Sequence, residues 1–220
     1  VTATVQKQVD LGVDVVDDGE LSKRGFAVYA HERLGGLEPT SKPRPSPWAN
    51  SRESRDFPEV YEKSVQPFRG APTASNMQMA CTSAITYKGQ DLLERDLANL
   101  RRAVDASGAE EAFVPAISPS DVVGNQLNEF YADEDEFLYA VGDALNVEYR
   151  AIVDAGFVLQ IDDPRLLTYY ISRPELSVAD CRKWAELRVE ALNHALKGLP
   201  EERVRFHTCY GINIGPRVHE

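Results

Sequence analysis

Short apolar runs alternate with longer amphipathic stretches along the chain. Thr2 to Leu11 has helical spacing and leads into Val13-Asp14-Val15-Val16, which ends in Asp17-Asp18-Gly19-Glu20. A second helix is predicted from about Ser22 to Leu34. Asp91 to Ser107 sets Leu92, Leu93, Leu97, Leu100 and Val104 on one side of a helix. Ala112 to Ala116 then reads as a strand, and Glu134 to Ala155 as a long helix carrying Phe137, Leu138, Val141, Leu145 and Tyr149. Phe157 to Ile161 is a strand ending in Asp162-Asp163-Pro164. Ser177 is the N-cap of a helix that runs to Leu196, and Val204-Arg205-Phe206 is a strand ending in His207-Thr208-Cys209. Helices of roughly 15 to 20 residues between short apolar strands predict βα units and a parallel sheet, hence an α/β protein.

One segment interrupts this rhythm. From about residue 38 to 75 the chain is rich in Pro, Ser and Arg, as in Lys42-Pro43-Arg44-Pro45-Ser46-Pro47. Such a stretch is expected to be a solvated insertion, although Trp48, Phe57, Tyr61 and Phe68 leave room for a packed lid. Ala84 to Tyr87 is a further possible strand, with Cys81 just before it.

Composition narrows the class. With 220 residues, 43% hydrophobic and 27% charged, the chain is expected to form one domain over residues 1–220, and a single α/β barrel is compatible with that length. A formal net charge of -11 and a pI near 4.9 repel phosphate backbones, so nucleic acid is not an expected partner. The sequence has no apolar run long enough to span a membrane and no signal peptide, and no membrane association is expected. Three cysteines, Cys81, Cys181 and Cys209, are too few for a disulfide scaffold and point to a reducing, cytoplasmic compartment. The chain opens at Val1 inside a helical stretch and stops at Glu220 within a motif, so both ends are expected to be cut from a longer protein.

The ionisable residues gather where strands are predicted to end. Glu20 follows one strand, Ser118 another, Asp162 a third, and His207 with Cys209 a fourth. In α/β barrels the loops at that end carry the active site. His207 and Cys209 are two apart, so in a continued strand both side chains face one way and could reach one metal ion. Imidazole nitrogen and thiolate suit zinc, which needs at least three protein ligands. An isolated His-x-Cys is more often a core pair than a metal site; its place beside the other polar strand ends shifts the reading toward zinc. Asp163 before Pro164 suits a helix N-cap, whereas Asp162 suits the mouth of the barrel and an ammonium group. Glu20 has the same logic, with an exposed helix-start residue as its plainer alternative. His31, His194 and Cys181 lie on predicted helices and read as packing or surface residues.

Three motifs occur in order: Gly12-Val13-Asp14-Val15-Val16-Asp17-Asp18-Gly19-Glu20, Leu159-Gln160-Ile161-Asp162-Asp163-Pro164, and Arg205-Phe206-His207-Thr208-Cys209-Tyr210. Together they resemble the catalytic domain of the cobalamin-independent methionine synthase family. Tyr210-Gly211-Ile212-Asn213-Ile214-Gly215-Pro216 is closer to its short single-barrel relatives, including the epoxyalkane:coenzyme M transferase type. The resemblance implies a (β/α)8 TIM-type barrel, here incomplete, lacking its first and last strands and holding five or six of eight βα units. It implies zinc as cofactor, with His207 and Cys209 as two of its ligands, and Glu20 and Asp162 as carboxylates that bind the amino group of homocysteine. It implies zinc-dependent methyl transfer to the homocysteine thiol, giving methionine, with a methyl donor that could be a folate. Cys81 falls in a segment that contacts substrate in the family. The remaining zinc ligands and the proton-donating His of the family have no counterpart before Glu220, and Thr168 stands where the long enzyme has a folate-contacting Glu. Alternatives are alkylation of another small thiol such as coenzyme M, or a non-catalytic barrel piece.

Overall fold

The computed structural model describes residues 1–42, 49–65, 78–209, 216 and 219. Trp48 and Phe68 of the Pro-rich stretch, residues 210–215 of the Tyr210–Pro216 motif, and Glu220 lie outside the described residues.

Four parallel strands make the central sheet: β1 (Val15–Val16), β4 (Glu111–Ile117), β6 (Val158–Asp162) and β7 (Val204–His207), in the order β1-β4-β6-β7. Parallel neighbours need a crossover, and helices supply it. α1 (Thr2–Asp10) leads into β1, and α5 (Gln90–Ser107) leads into β4. α6 (Pro119–Asn125) and α7 (Glu134–Asp154) connect β4 to β6, and α8 (Pro164–Ser172) and α9 (Val178–Ala195) connect β6 to β7. This is the layout of an incomplete (β/α)8 barrel. Among the described residues the central sheet has four parallel strands.

The long helices form where periodicity predicts them. α7 buries Phe137, Leu138, Val141, Leu145, Tyr149 and Ile152, and α5 buries Leu93, Leu97 and Leu100. These meet Ile117, Leu159 and Ile161 of the strands in one apolar cluster. Polar side chains close the helix starts: Ser118 accepts from the Asp121 amide, Asp133 from Glu136, Asp163 from Leu166, and Ser177 forms a capping box with Asp180.

The helix expected over Ser22–Leu34 is largely absent. Only α2 (Tyr29–Arg33) forms, and the chain then becomes β2 (Leu34–Pro39), antiparallel to β3 (Met79–Tyr87). β3 also pairs in parallel with β5 (Leu127–Asn128), giving a second, three-stranded sheet. Glycine explains the switch. Gly36 has φ +86, and a Cβ there would lie 2.7 Å from the carbonyl oxygens of both Ser83 and Ala84. Only a residue without a side chain lets the two backbones come so close.

The insertion contains two short helices. Its described part folds as α3 (Arg52–Asp56) and α4 (Pro58–Val65), with Ser51, Glu53 and Tyr61 buried. Arg52 donates to the carbonyls of Tyr170 and Leu176, which ties α3 to α8.

Candidate active site

The end of β4 is held by two buried tyrosines. The Ile117 amide donates to Tyr29 Oη at 2.6 Å, and Tyr149 Oη donates to the Ile117 carbonyl at 2.6 Å. Ser118 follows, and its amide donates to the Asp162 carbonyl at 3.1 Å. Asp162 lies opposite Ile117 on one side and His207 on the other in the parallel ladders. The Asp163 amide donates to the His207 carbonyl at 3.0 Å, which extends the pairing past the strand end. β4, β6 and β7 therefore end level with one another, and the polar residues after them gather at one end of the sheet.

Asp162 is buried and accepts from Gln160 Nε2 at 2.7 Å, while Gln160 in turn accepts from Arg205 Nε at 2.7 Å. Burial raises the Asp162 carboxyl above its ordinary range, and Glu20 pushes it further up; the Gln160 hydrogen bond, His207 and Lys23 pull it down. Glu20, Lys23, Asp162 and His207 thus sit within electrostatic reach of one another. Glu20 has φ 52, an uncommon conformation for a residue with a side chain, and follows Gly19 at φ 70. The turn is fixed by Asp17 accepting from the Gly19 amide at 3.1 Å and Asp18 accepting from the Glu20 amide at 2.8 Å.

Lys23 is the residue that sequence reasoning missed. Its nearly buried ammonium donates to Glu20 Oε1 at 3.0 Å and to the Pro115 carbonyl at 2.6 Å. It falls within the helix predicted from about Ser22 to Leu34, where a lysine reads as a solvated charge. The only hint was its spacing three residues after Glu20.

The other candidates separate. His207 is exposed at the edge of β7, and Cys209 lies two residues past the strand, partly buried. Their nitrogen and sulfur chemistry fits part of a zinc site. Among the described residues, however, no group of three His, Cys, Asp or Glu side chains converges as a metal site. Cys81 is wholly buried in β3, its Sγ donating to the Ser83 carbonyl at 3.3 Å, and burial raises its thiol. Asp163 is the N-cap of α8, as its place before Pro164 suggested. His31 is within 3.0 Å of Gln126, and His194 within 2.6 Å of Asp143, consistent with packing and surface roles.

A half-barrel with ionisable residues at the carboxyl ends of its parallel strands defines the class: an α/β-barrel protein with its candidate chemistry at the strand ends. No family model matches the chain. Over 96% of its length it is 26% identical to the methionine synthase of Saccharolobus solfataricus, and over 91% it is 23% identical to that of Sulfurisphaera tokodaii. It spans about half of these relatives, 51% and 47% of their lengths. A B12-independent methionine synthase from Shewanella sp. W3-18-1, solved in complex with selenomethionine, has the same fold. The TM-score is 0.67 at 18% identity, over 95% of this chain and 50% of that one. The resemblance is thus to methionine synthases in sequence and to a B12-independent methionine synthase in fold. No helix among the described residues is long and apolar enough to cross a membrane.

Proposed function

We propose that the chain is part of a zinc-dependent methyltransferase that methylates the thiol of homocysteine to give methionine. The observation that carries this reading is the level ending of β4, β6 and β7, which sets Asp162 beside His207 with Glu20 in electrostatic reach. His207 and Cys209 would hold zinc together with ligands from the rest of the protein. Zinc, when bound, lowers the pKa of a substrate thiol so that its sulfur is presented as a thiolate. Glu20 and Asp162 would bind the substrate ammonium, and the Gln160–Asp162 hydrogen bond fixes the direction of that carboxylate. Holding the amino acid at one end orients its sulfur toward the donor, and positioning of this kind supplies much of the rate in a displacement. The selenomethionine bound by the Shewanella relative has the same ammonium-bearing end.

Lys23 favours a second reading. It already occupies one oxygen of Glu20, and its positive charge suits an anionic head group such as the sulfonate of coenzyme M. Alkylation of such a thiol would use the same metal ligands.

The test is zinc stoichiometry by elemental analysis in the protein, in His207→Ala and in Cys209→Ala, followed by alkylation assays with homocysteine and coenzyme M. Zinc lost in both variants, with homocysteine as the preferred thiol, supports the first reading. Preference for coenzyme M selects the second, and zinc content unaffected by either substitution refutes both.

A further inference from the structure

The insertion between β2 and β3 buries a carboxylate that the strand-end cluster does not use. Glu53 of α3 has no exposed surface. Burying a carboxylate is costly unless hydrogen bonds compensate. One partner comes from far along the chain: Glu53 Oε1 accepts from the His219 amide at 2.9 Å, across 166 residues. Tyr61 of α4 is also buried, and its Oη donates to the Pro216 carbonyl at 3.3 Å. His219 Nε2 lies 2.6 Å from Asp56 Oδ2 at the end of α3.

The insertion is itself anchored. Ser51 caps α3 by accepting from the Ser54 amide at 3.1 Å. Arg52 donates to the Tyr170 and Leu176 carbonyls, and its guanidinium lies 4.0 Å from the centre of the Tyr170 ring. Tyr170 belongs to α8, which begins directly after Asp162 and Asp163. α3 and α4 thus bridge the chain that follows β6 and the chain that follows β7.

Cys209 falls between two fixed points. Before it, His207 is held in the ladder, its carbonyl accepting from the Asp163 amide at 3.0 Å. After it, Pro216 and His219 are held by α4 and α3. Fixing both ends of a span removes conformations that one fixed end would leave open. A metal ligand needs such support, because its position must be held to within about half an ångström by the contacts around it.

We propose that the α3–α4 insertion is a clasp that sets the position of Cys209, with Glu53 and Tyr61 as positioning residues acting through His219 and Pro216. As a source of metal affinity the clasp rests on the zinc site proposed above; as a constraint on Cys209 it stands apart from it.

Two measurements on the whole protein separate these. Chelator-treated protein is pulsed with iodoacetamide, and peptide mass spectrometry gives a labelling rate for each of Cys81, Cys181 and Cys209. Zinc is then titrated against a chromophoric chelator. Glu53→Ala should label Cys209 at least about fivefold faster and Tyr61→Phe at least about twofold faster, with the buried Cys81 and Cys181 unchanged. Glu53→Gln keeps an acceptor oxygen for the His219 amide and should fall nearer the wild type. Zinc should bind Glu53→Ala about 10–100-fold more weakly. Tyr61→Phe removes one hydroxyl and leaves the ring in place, so it decides the outcome if Glu53→Ala does not fold. Unchanged Cys209 labelling in Tyr61→Phe overturns the clasp, and so does equal acceleration at all three cysteines, which marks general loosening. Wild-type zinc affinity in the folded variants overturns the positioning role. A wild type that binds no zinc refutes the zinc reading alone, and the labelling rates then decide the clasp.

Discussion

Asp121 gives the sharpest quantitative test of the fold around the site. Its carboxyl is buried at the start of α6, with Oδ1 3.9 Å from Arg165 Nε and Oδ2 lacking any hydrogen-bond partner. Burial, followed by the Asp163 charge, raises it from its ordinary 3.8 to about 7. A carboxyl that keeps its proton over about three further decades of pH is linked to roughly 4 kcal/mol of stability at 1.36 kcal/mol per decade. The sign follows from proton counting. Between 3.8 and 7 the folded protein holds the proton and the unfolded chain does not, so stability falls as pH rises through that window. Of the total, roughly 2–3 kcal/mol is lost between about pH 5 and pH 8. Asp121→Asn removes the titration while keeping the shape. Urea unfolding at a series of pH values should show the wild type losing stability over this range and the variant losing about 2–3 kcal/mol less. Asp163, raised to about 6 mainly by burial, keeps part of the slope in the variant. Equal slopes in the two proteins would refute the reasoning.

Further outcomes follow from the same contacts. Tyr149→Phe removes the donor to the buried Ile117 carbonyl and should cost about 1–3 kcal/mol in urea unfolding, since the acceptor stays buried without a partner. Gly36→Ala forces a Cβ onto two carbonyl oxygens at φ +86 and should destabilise by at least about 1–3 kcal/mol, read as a lower melting temperature. Lys23→Met withdraws a positive charge that lowers the Asp162 carboxyl, so the Asp162 13C resonance should titrate at higher pH than in the wild type. On the proposed zinc-dependent methyl transfer, chelation should abolish product formation from the thiol and added zinc should restore it.

The parallel half of the fold was legible because its signals are local. The apolar stripe of α5 and α7, the capping Ser177 and the Pro after Asp163 each act within a few residues. The second sheet was not legible, since β2 pairs with β3 across the whole insertion and no local period records a long-range antiparallel partner. The Gly35-Gly36 pair was the available signal, and its close approach to β3 requires knowing what lies opposite. At the site, the strand-end positions of Asp162 and His207 could be read, but their side-by-side register is a property of the ladder. Lys23 escaped because its burial depends on the Pro115 carbonyl, 92 residues away in the chain.

The left-handed backbone at Glu20 sets local fitness against function. Holding a residue with a side chain there costs about 1–2 kcal/mol that glycine would recover. In a library selected for heat resistance alone, Glu20→Gly would relieve the backbone but take the carboxylate from the nearly buried Lys23, so the two effects oppose each other. A library selected for turnover would keep the strained glutamate, so sequencing both would show whether this turn is kept for its shape or for its charge.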